Sequence, residues 1–250
     1  MTKHGETKTL KRLNTPKFLQ IKRKHGKFFI KSSSGPHSSR FSLPLLHIVR
    51  DLLKIVDNYR EAKKLIGLGK FKIDGKVVKD KGYPVGLMDV LSIEEYKKHF
   101  RILPDSHHGL ILHEIPQKES NYKLCRITNK TTVKGGHLQL NLHDGRNILI
   151  RVKDPKNPKE DIYNRMDVLK ISIPEQEILK VLKFKEGNLA LIMSGKNIGQ
   201  IGKILTILKR YGPKASTVSI QHNSTHTETL YDYTFIIGEE QPEIKIPNMG

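Results

Sequence analysis

KFKIDGKVVKD, residues 70 to 80, sets Asp74-Gly75 between Phe71/Ile73 on one side and Val77 on the other. Asp-Gly is the pair that a two-residue type I′ turn prefers, because both central positions need positive φ, so the stretch predicts a tight β-hairpin. On its N-terminal side, Ser42-Leu43-Pro44 reads as a helix start: Pro44 suits a first turn, and Leu45, Ile48, Val49, Leu52, Leu53 and Val56 recur at three- and four-residue spacing. That helix is expected to end near Val56. Asn58 and Glu61 have the spacing of a capping box for a second helix over Tyr59 to Ile66, with Gly67 as its terminator and Lys63 and Lys64 projecting. On the C-terminal side, Tyr83 to Gly86 predicts a turn, and Met88 to Ile93 a strand. The unit from 42 to about 93 is therefore helix, helix, hairpin, strand.

The flanking segments have other signatures. KSSSGPHSSR, residues 31 to 40, is a loop by composition, with hydroxyls and amides free for phosphate oxygens. Between Arg101 and Lys185, short candidate strands recur at roughly ten-residue spacing: 102–103, 110–113, 124–130, 137–142, 147–152, 168–173 and 178–184. They predict a small β domain, with DPKNPKED (154–161) as an exposed loop. From Gly187 the chain reads strand, glycine loop, strand, and Val218 to Ile220 with Tyr233 to Ile237 would complete a small barrel of about five strands. The expected fold is α+β, mainly β: a basic N-terminal extension (1–41), a small helix-helix-hairpin domain (42–104), a central β domain (105–185) and a C-terminal β-barrel with its tail (186–250).

Charge points to the partner. Forty-five Lys and Arg against 25 Asp and Glu leave +20, a self-repulsion for which a polyanion is the natural counterion. Residues 1 to 40 hold 11 basic side chains and one acid, while 186 to 250 balance. Phe18, Leu19, Ile21, Phe28, Phe29 and Ile30 interleave the leader's charges and give it something to pack, though it is expected to gain order mainly on binding. No run of 18 apolar residues exists to cross a membrane, and no apolar stretch follows the basic N-terminus, so no secretory signal is expected. One cysteine, Cys125, allows no intrachain disulfide and reads as a small buried hydrophobe. With 36% hydrophobic residues, several small cores are expected.

Enzyme chemistry is hard to find. There is no G-x-x-x-x-G-K-[ST], no H-E-x-x-H and no G-x-S-x-G. His107, His108 and His113 cluster without a second pair at ligand spacing, so no metal is expected, and Asp144 in LHDGR reads as a turn rather than a general base. Gly195, Gly199 and Gly202 are spaced so that backbone amides could meet phosphates or another loop, with Lys196 and Asn197 at the tip; the plainer reading is a β-turn that needs glycine, and the sequence leaves the two even. Eight Phe, eight Tyr and no Trp argue against a single-strand stacking platform.

LKRLNTPKF (10–18), SSSGPH (32–37), LPLL (43–46), FKIDGKVVKD (71–80) with YPVGLMDVLSI (83–93), YKLCRI (122–127), LHDGRNI (142–148) and GNLALIMSGKNIGQIGKI (187–204) occur in this order. In that order they resemble the archaeal and eukaryotic small-subunit ribosomal protein four family, the "e" type, over essentially the whole chain. The second module is similar to the small RNA-binding fold shared with some pseudouridine synthases and tRNA synthetases, and the glycine segment looks like a KOW motif.

The resemblance implies a non-enzymatic constituent of the small ribosomal subunit, without cofactor or small-molecule substrate. It would be cytoplasmic in the ribosome, nucleolar during assembly if eukaryotic, and partnered with small-subunit rRNA and neighbouring ribosomal proteins. By position, RNA contacts would fall on Lys8, Lys11, Arg12, Lys17, Lys22, Arg23, Lys24 and Lys27 of the leader, on His37 and Arg40 of the loop, on Arg50, Lys63, Lys64 and Lys70 of the helical unit, and on Lys196 and Asn197. Gln200 stands where a basic residue is expected, so no phosphate contact is expected there, and none from a basic C-terminal tail. The rival readings are a transcription or translation factor using the KOW-like barrel and an RNA-modifying enzyme using the same RNA-binding module.

Overall fold

Apolar residues threaded through the basic leader determine where it packs. The computed structural model describes residues 9–16, 18–21, 24, 26–39, 41–106, 109–154, 158–222 and 225–246. Strands β1 (Leu10–Lys11) and β2 (Phe28–Phe29) form an antiparallel ribbon. Leu19 and Phe29 are buried in one cluster with Leu43, Leu46, Val49, Ala62 and Ile66. The leader's described residues thus have an apolar seat on the chain itself.

After β3 (Ser42–Pro44), Pro44 precedes a single α turn, α1 (Leu45–His47), which widens into a π turn over Ile48–Leu52. Lys54 (φ 52°) takes the left-handed conformation and ends the helix short of Val56. A single π turn of five residues shifts the apolar spacing too little to be legible in it. Helix α2 (Tyr59–Gly67) buries Ala62 and Ile66 and leaves Lys63 and Lys64 exposed. Asn58 Nδ2 donates to Glu61 Oε1 at 3.2 Å, so the predicted box is a side-chain pair rather than a backbone cap.

The hairpin forms as read: Asp74 (φ 48°) and Gly75 (φ 75°) join β4 (Phe71–Ile73) to β5 (Lys76–Val77). Tyr83 to Gly86 differs from the predicted turn. Pro84–Gly86 is a short strand, β6, paired with β3 in a two-stranded ribbon, where both strands are edges and proline is tolerated. Strands β7 (Val90–Ile93), β8 (Lys98–Asp105) and β9 (Gly109–Ile115) extend the hairpin into a sheet ordered β5-β4-β7-β8-β9. A division after residue 104 therefore falls inside a strand.

The central strands are β10 (Tyr122–Thr132), β11 (Leu138–Leu142), β12 (Asn147–Ile150), β13 (Val168–Ser172) and β14 (Ile178–Leu182), in the order β12-β11-β10-β13-β14. Alternation along β10 separates its faces: Leu124 enters one cluster, Cys125 and Ile127 another. The last sheet comprises β15 (Leu189–Ile192), β16 (Ile201–Leu208), β17 (Thr217–His222), β18 (Thr225–Leu230) and β19 (Thr234–Gly238), ordered β18-β17-β16-β15-β19. The sequence THTETL of β18 lacks apolar alternation and was not legible as a strand. The cores are not one per unit, because Leu87, Met88 and Leu103, then Leu124, Val168 and Leu182, share a cluster with the last sheet.

Candidate nucleic-acid interface

The basic residues read from the sequence separate into distinct groups in space. Lys11, Lys24 and Lys27 are exposed on the leader, Lys27 Nζ lying 5.7 Å from the Phe28 ring centroid, and Arg12 is half-buried. Lys63 and Lys64 are exposed on α2, a helix that shares its core with the leader. Between the two runs a cleft of 510 Å³, lined by Phe28, Phe29, Lys31, Arg50, Tyr59 and Lys81 among others. Lys81, which the sequence did not single out, sits 5.1 Å from the Tyr59 ring centroid. Lys196 is exposed and Asn197 half-buried in the β15–β16 loop, on a different sheet. Lys8, Lys17, Lys22, Arg23 and Arg40 lie outside the described residues, as do His107 and His108 of the histidine cluster.

Three expected contacts are altered by their surroundings. His37 is not on the surface: it is 8% exposed, and its Nε2 lies 3.0 Å from Asp89 Oδ1, so it cannot present its ring to a phosphate. Arg50 donates from Nε and Nη2 to both oxygens of Asp51, at 2.9 and 2.7 Å, which cancels most of its field. Burial would raise the Asp51 carboxyl, but the hydrogen bonds from the His47 imidazole and the Arg50 guanidinium, with the charge of Arg50, hold it well below the usual carboxylate range. Lys70 is paired with Glu95 at 2.5 Å on an exposed edge, and Lys72 is paired with Glu94.

Gly199 (φ 82°) lies where a Cβ would come within 3.0 to 3.1 Å of Ser106 N and Asp105 Cα, the β8–β9 turn. A Cβ on Gly202 would meet Gln221 O of β17 at 2.1 Å. Of the two readings left open for the glycine loop, these positions support the structural one, in which the chain itself needs glycine for a positive φ at 199 and a close approach to β17 at 202.

Beneath the surface groups lies a feature that the sequence did not disclose. Lys123 of β10 is fully buried, with Nζ 2.9 Å from Asp74 Oδ2, 2.5 Å from Asp89 Oδ1 and 2.9 Å from Asp144 Oδ2. Arg146 Nη2 reaches Asp74 Oδ2 at 2.5 Å. Asp74 Oδ1 also accepts from Val90 N–H at 2.9 Å, and Asp89 Oδ2 from Gly86 N–H at 2.8 Å. Both Asp-Gly turns, read only as turns, therefore aim their carboxylates at one ammonium. Burial opposes every charge here. It pushes Lys123 down, yet Asp74 and Asp89 hold it well above the usual lysine value. Burial would raise Asp144, yet Lys123 and His143 draw it down to about 2. Asp89 is held low by Lys123 and His37 against burial, whereas burial together with the Asp89 charge leaves Asp74 raised.

Cys125, His143 and Asp144 place ligand-type atoms within 4.8 Å of one another. Their chemistry is already committed. Asp144 binds Lys123, His143 Nδ1 accepts from Arg126 N–H at 3.2 Å while Nε2 faces Leu87 O at 3.2 Å, and burial holds the Cys125 thiol well above its ordinary pKa. The trio is a packed polar contact.

The junction ties the leader's His37, the hairpin unit's Asp74 and Asp89, and the central sheet's Lys123, Asp144 and Arg146 into one body, so that basic surfaces on separate units hold fixed relative positions. Such a chain, mainly β with two short helices and surface lysines on several small sheets, has the architecture of a nucleic-acid-binding protein that reads backbone and shape. The comparisons make this particular. Family models match as "RS4NT (NUC023) domain" over residues 4–40, "S4 domain" over 53–91 and "Ribosomal family S4e" over 96–178. The small ribosomal subunit protein eS4 of Staphylothermus marinus is 50% identical over 99% of this chain and 98% of its own. Those of Aeropyrum pernix and Methanocaldococcus jannaschii are 47% and 46% identical, over 99% and 98% of this chain and 98% and 100% of theirs. The crystal structure of the 30S ribosomal protein S4e from Thermoplasma acidophilum superposes with a TM-score of 0.66 at 32% identity, covering 79% of this chain and 95% of that one. The chain belongs to the ribosomal S4e family.

Proposed function

We infer that this protein is a structural constituent of the small ribosomal subunit, binding small-subunit rRNA through phosphate and shape contacts and working within the ribosome beside neighbouring small-subunit proteins. The observation that carries the reading is the full-length similarity to proteins named small ribosomal subunit protein eS4, in a chain whose charge is +20. A-form RNA presents a deep groove closed to side chains, so phosphates and 2′-hydroxyls are the accessible groups, and Lys and Arg distributed over several sheets suit them. The contact set proposed is Lys11, Arg12, Lys24 and Lys27 with Lys63 and Lys64, joined by Lys31 and Lys81 at the cleft between leader and helices. Lys8, Lys17, Lys22, Arg23 and Arg40 share the leader's charge and are proposed with it, as are Lys196 and Asn197 on the far sheet. The four-part division is retained with one change: β9 is grouped with the RNA-binding domain on account of its sheet. The last sheet is proposed to be a KOW-type barrel, on the strength of its glycine loop.

The test is sedimentation of a lysate through a sucrose gradient at about 0.5 M salt, where exposed phosphate contacts are strongly weakened. Near one copy per small subunit, resistant to the wash, is expected. Recovery at the top of the gradient, or in far fewer copies than subunits, would favour a cycling factor or a modifying enzyme instead.

A further inference from the structure

The near-balance of charge in the last quarter of the chain conceals a separation. Residues 201 to 216 carry Lys203, Lys209, Arg210 and Lys214 and no acid, whereas Glu228, Asp232, Glu239, Glu240 and Glu243 follow later. The basic run is concentrated in the turn between β16 and β17, which reads KRYGPK at 209 to 214. Tyr211 stands at its tip, 97% exposed, followed by Gly212 at φ 137°. A tyrosine so placed adds nothing to the core. An isolated exposed aromatic would need no explanation, but this one edges a built cleft.

The cleft has a volume of 650 Å³ and runs between the hairpin and the central unit, lined by Lys183, Phe184 and Lys185 on one side and by Lys209, Arg210 and Tyr211 on the other. Phe184 and Tyr231 contact edge to face in its lining, ring centroids 4.9 Å apart. Its two acids are already engaged: Asp167 binds Lys183 at 3.0 Å and Asp232 binds Arg165 at 3.0 Å. Lys185, Lys209, Arg210 and Lys214 have no ion-pair partner among the described residues. An exposed aromatic plane, an aromatic lining and an unneutralised cationic rim together match the two halves of a nucleotide, a flat base and an anionic phosphate.

We propose that this cleft binds an unpaired nucleotide of RNA, its base stacked on Tyr211 and its flanking phosphates held by Lys185, Lys209 and Arg210. The proposal rests on the rRNA-binding reading and adds a single-strand site to it. An acidic peptide would use the same cations but has no need of Tyr211, and the two are separable on that ground. Sixteen Phe and Tyr in the whole chain argued against a stacking platform, but they do not exclude one cleft that three of them line.

The test uses the full-length chain with a short single-stranded oligouridylate carrying 5-iodouridine, and an RNA duplex of the same length. Tyr211→Ala is expected to weaken single-strand binding about 10-fold and to leave duplex binding unchanged. Tyr211→Phe keeps the ring and should restore it. Lys209→Gln with Arg210→Gln should lower the slope of log affinity against log salt by about 1.4 for the single strand. Photocrosslinks should fall in the 209–214 peptide and vanish in Tyr211→Ala. Because the hairpin tip is exposed, these substitutions do not threaten folding, and circular dichroism checks this. Single-strand affinity indifferent to Tyr211, crosslinks mapping elsewhere, or displacement by oligoglutamate equally from wild type and Tyr211→Ala would each overturn the proposal. If duplex binding persists in those cases, only this site is lost. If the wild-type chain binds no RNA of either form, the rRNA-binding reading falls too.

Discussion

Lys123 shows how one side chain can be decisive and still be nearly silent in a sequence. It stands in YKLCRI, flanked by residues that alternate into two cores, where a lysine ordinarily marks a solvent-facing position. Its three carboxylate partners are distant in sequence: Asp74 and Asp144 stand in Asp-Gly turns already accounted for by backbone chemistry, and Asp89 in a stretch read as a strand. Only the pairing of 74 and 89 with 123 and 144 in space turns these residues into a charge junction. Removing the ammonium leaves buried carboxylates uncompensated, so Lys123→Met is expected to cost about 3–5 kcal/mol in urea unfolding. Adding Asp89→Asn should recover part of that loss, and a double variant no more stable than Lys123→Met would argue that the junction is not electrostatic. Acid should act first through His143. Burial, with Lys123 nearby, lowers its pKa to about 3, so the folded state disfavours the proton that the unfolded chain takes up below its ordinary value of 6.5. The resulting stability is complete above about pH 6.5 and declines as pH falls toward 3, by at most about 1.4 kcal/mol per unit. The depressed carboxylates Asp89 and Asp144 lose their contribution only below the usual carboxylate range, while the raised Asp74 works in the opposite sense just above it. His143→Gln should flatten the urea midpoint between pH 6.5 and 4.5 without removing the steeper fall below.

Elements were legible where a local rule determined them. The 74–75 hairpin needed only two positive φ values and forms as read; α2 needed only its spacing, although Gly67 is its last residue rather than its terminator and the left-handed glycine is Gly69 (φ 76°). Misreadings arose where a neighbour decides. Pro84 to Gly86 has the composition of a turn, yet it is a strand because β3 lies beside it. THTETL of β18 is held by β17 rather than by an apolar face of its own. Gly202 is the clearest case of a residue whose role belongs to an element pair: β17 approaches β16 so closely that a methyl group would sit 2.1 Å from Gln221 O. Backbone cannot swing aside as a side-chain end can, so Gly202→Ala should separate the strands and cost on the order of 1–3 kcal/mol. Faster amide exchange from 201 to 204 and 218 to 221, with the first sheet unaffected, is the expected signature. A variant with unchanged stability and exchange would overturn the close approach of β17 as the reason for glycine at 202.

For the molecule as a whole, charge was the most legible property and its arrangement the least. The total of +20 and its concentration in the leader follow from counting. That Leu19 and Phe29 seat the leader on the same core as α2, so that Lys11, Lys27, Lys63 and Lys64 belong to one body, required the structure. This placement makes incorporation into subunits a graded test. Each cation that reaches a phosphate contributes its own counterion release, and contacts held on a common rigid body act together without a further ordering cost. Lys11→Gln with Arg12→Gln and Lys17→Gln is therefore expected to weaken incorporation strongly. Lys63→Gln with Lys64→Gln should weaken it comparably per charge removed, and Lys196→Gln least, since it stands alone on the β15–β16 loop. Competition between tagged variant and wild-type chains, read as their ratio in purified small subunits, gives the order directly. If Lys196→Gln proves the most damaging, the interface is centred on the last sheet and the leader serves mainly to cover the helices. If the leader and α2 substitutions fail to rank together, the shared core does not deliver a shared RNA surface.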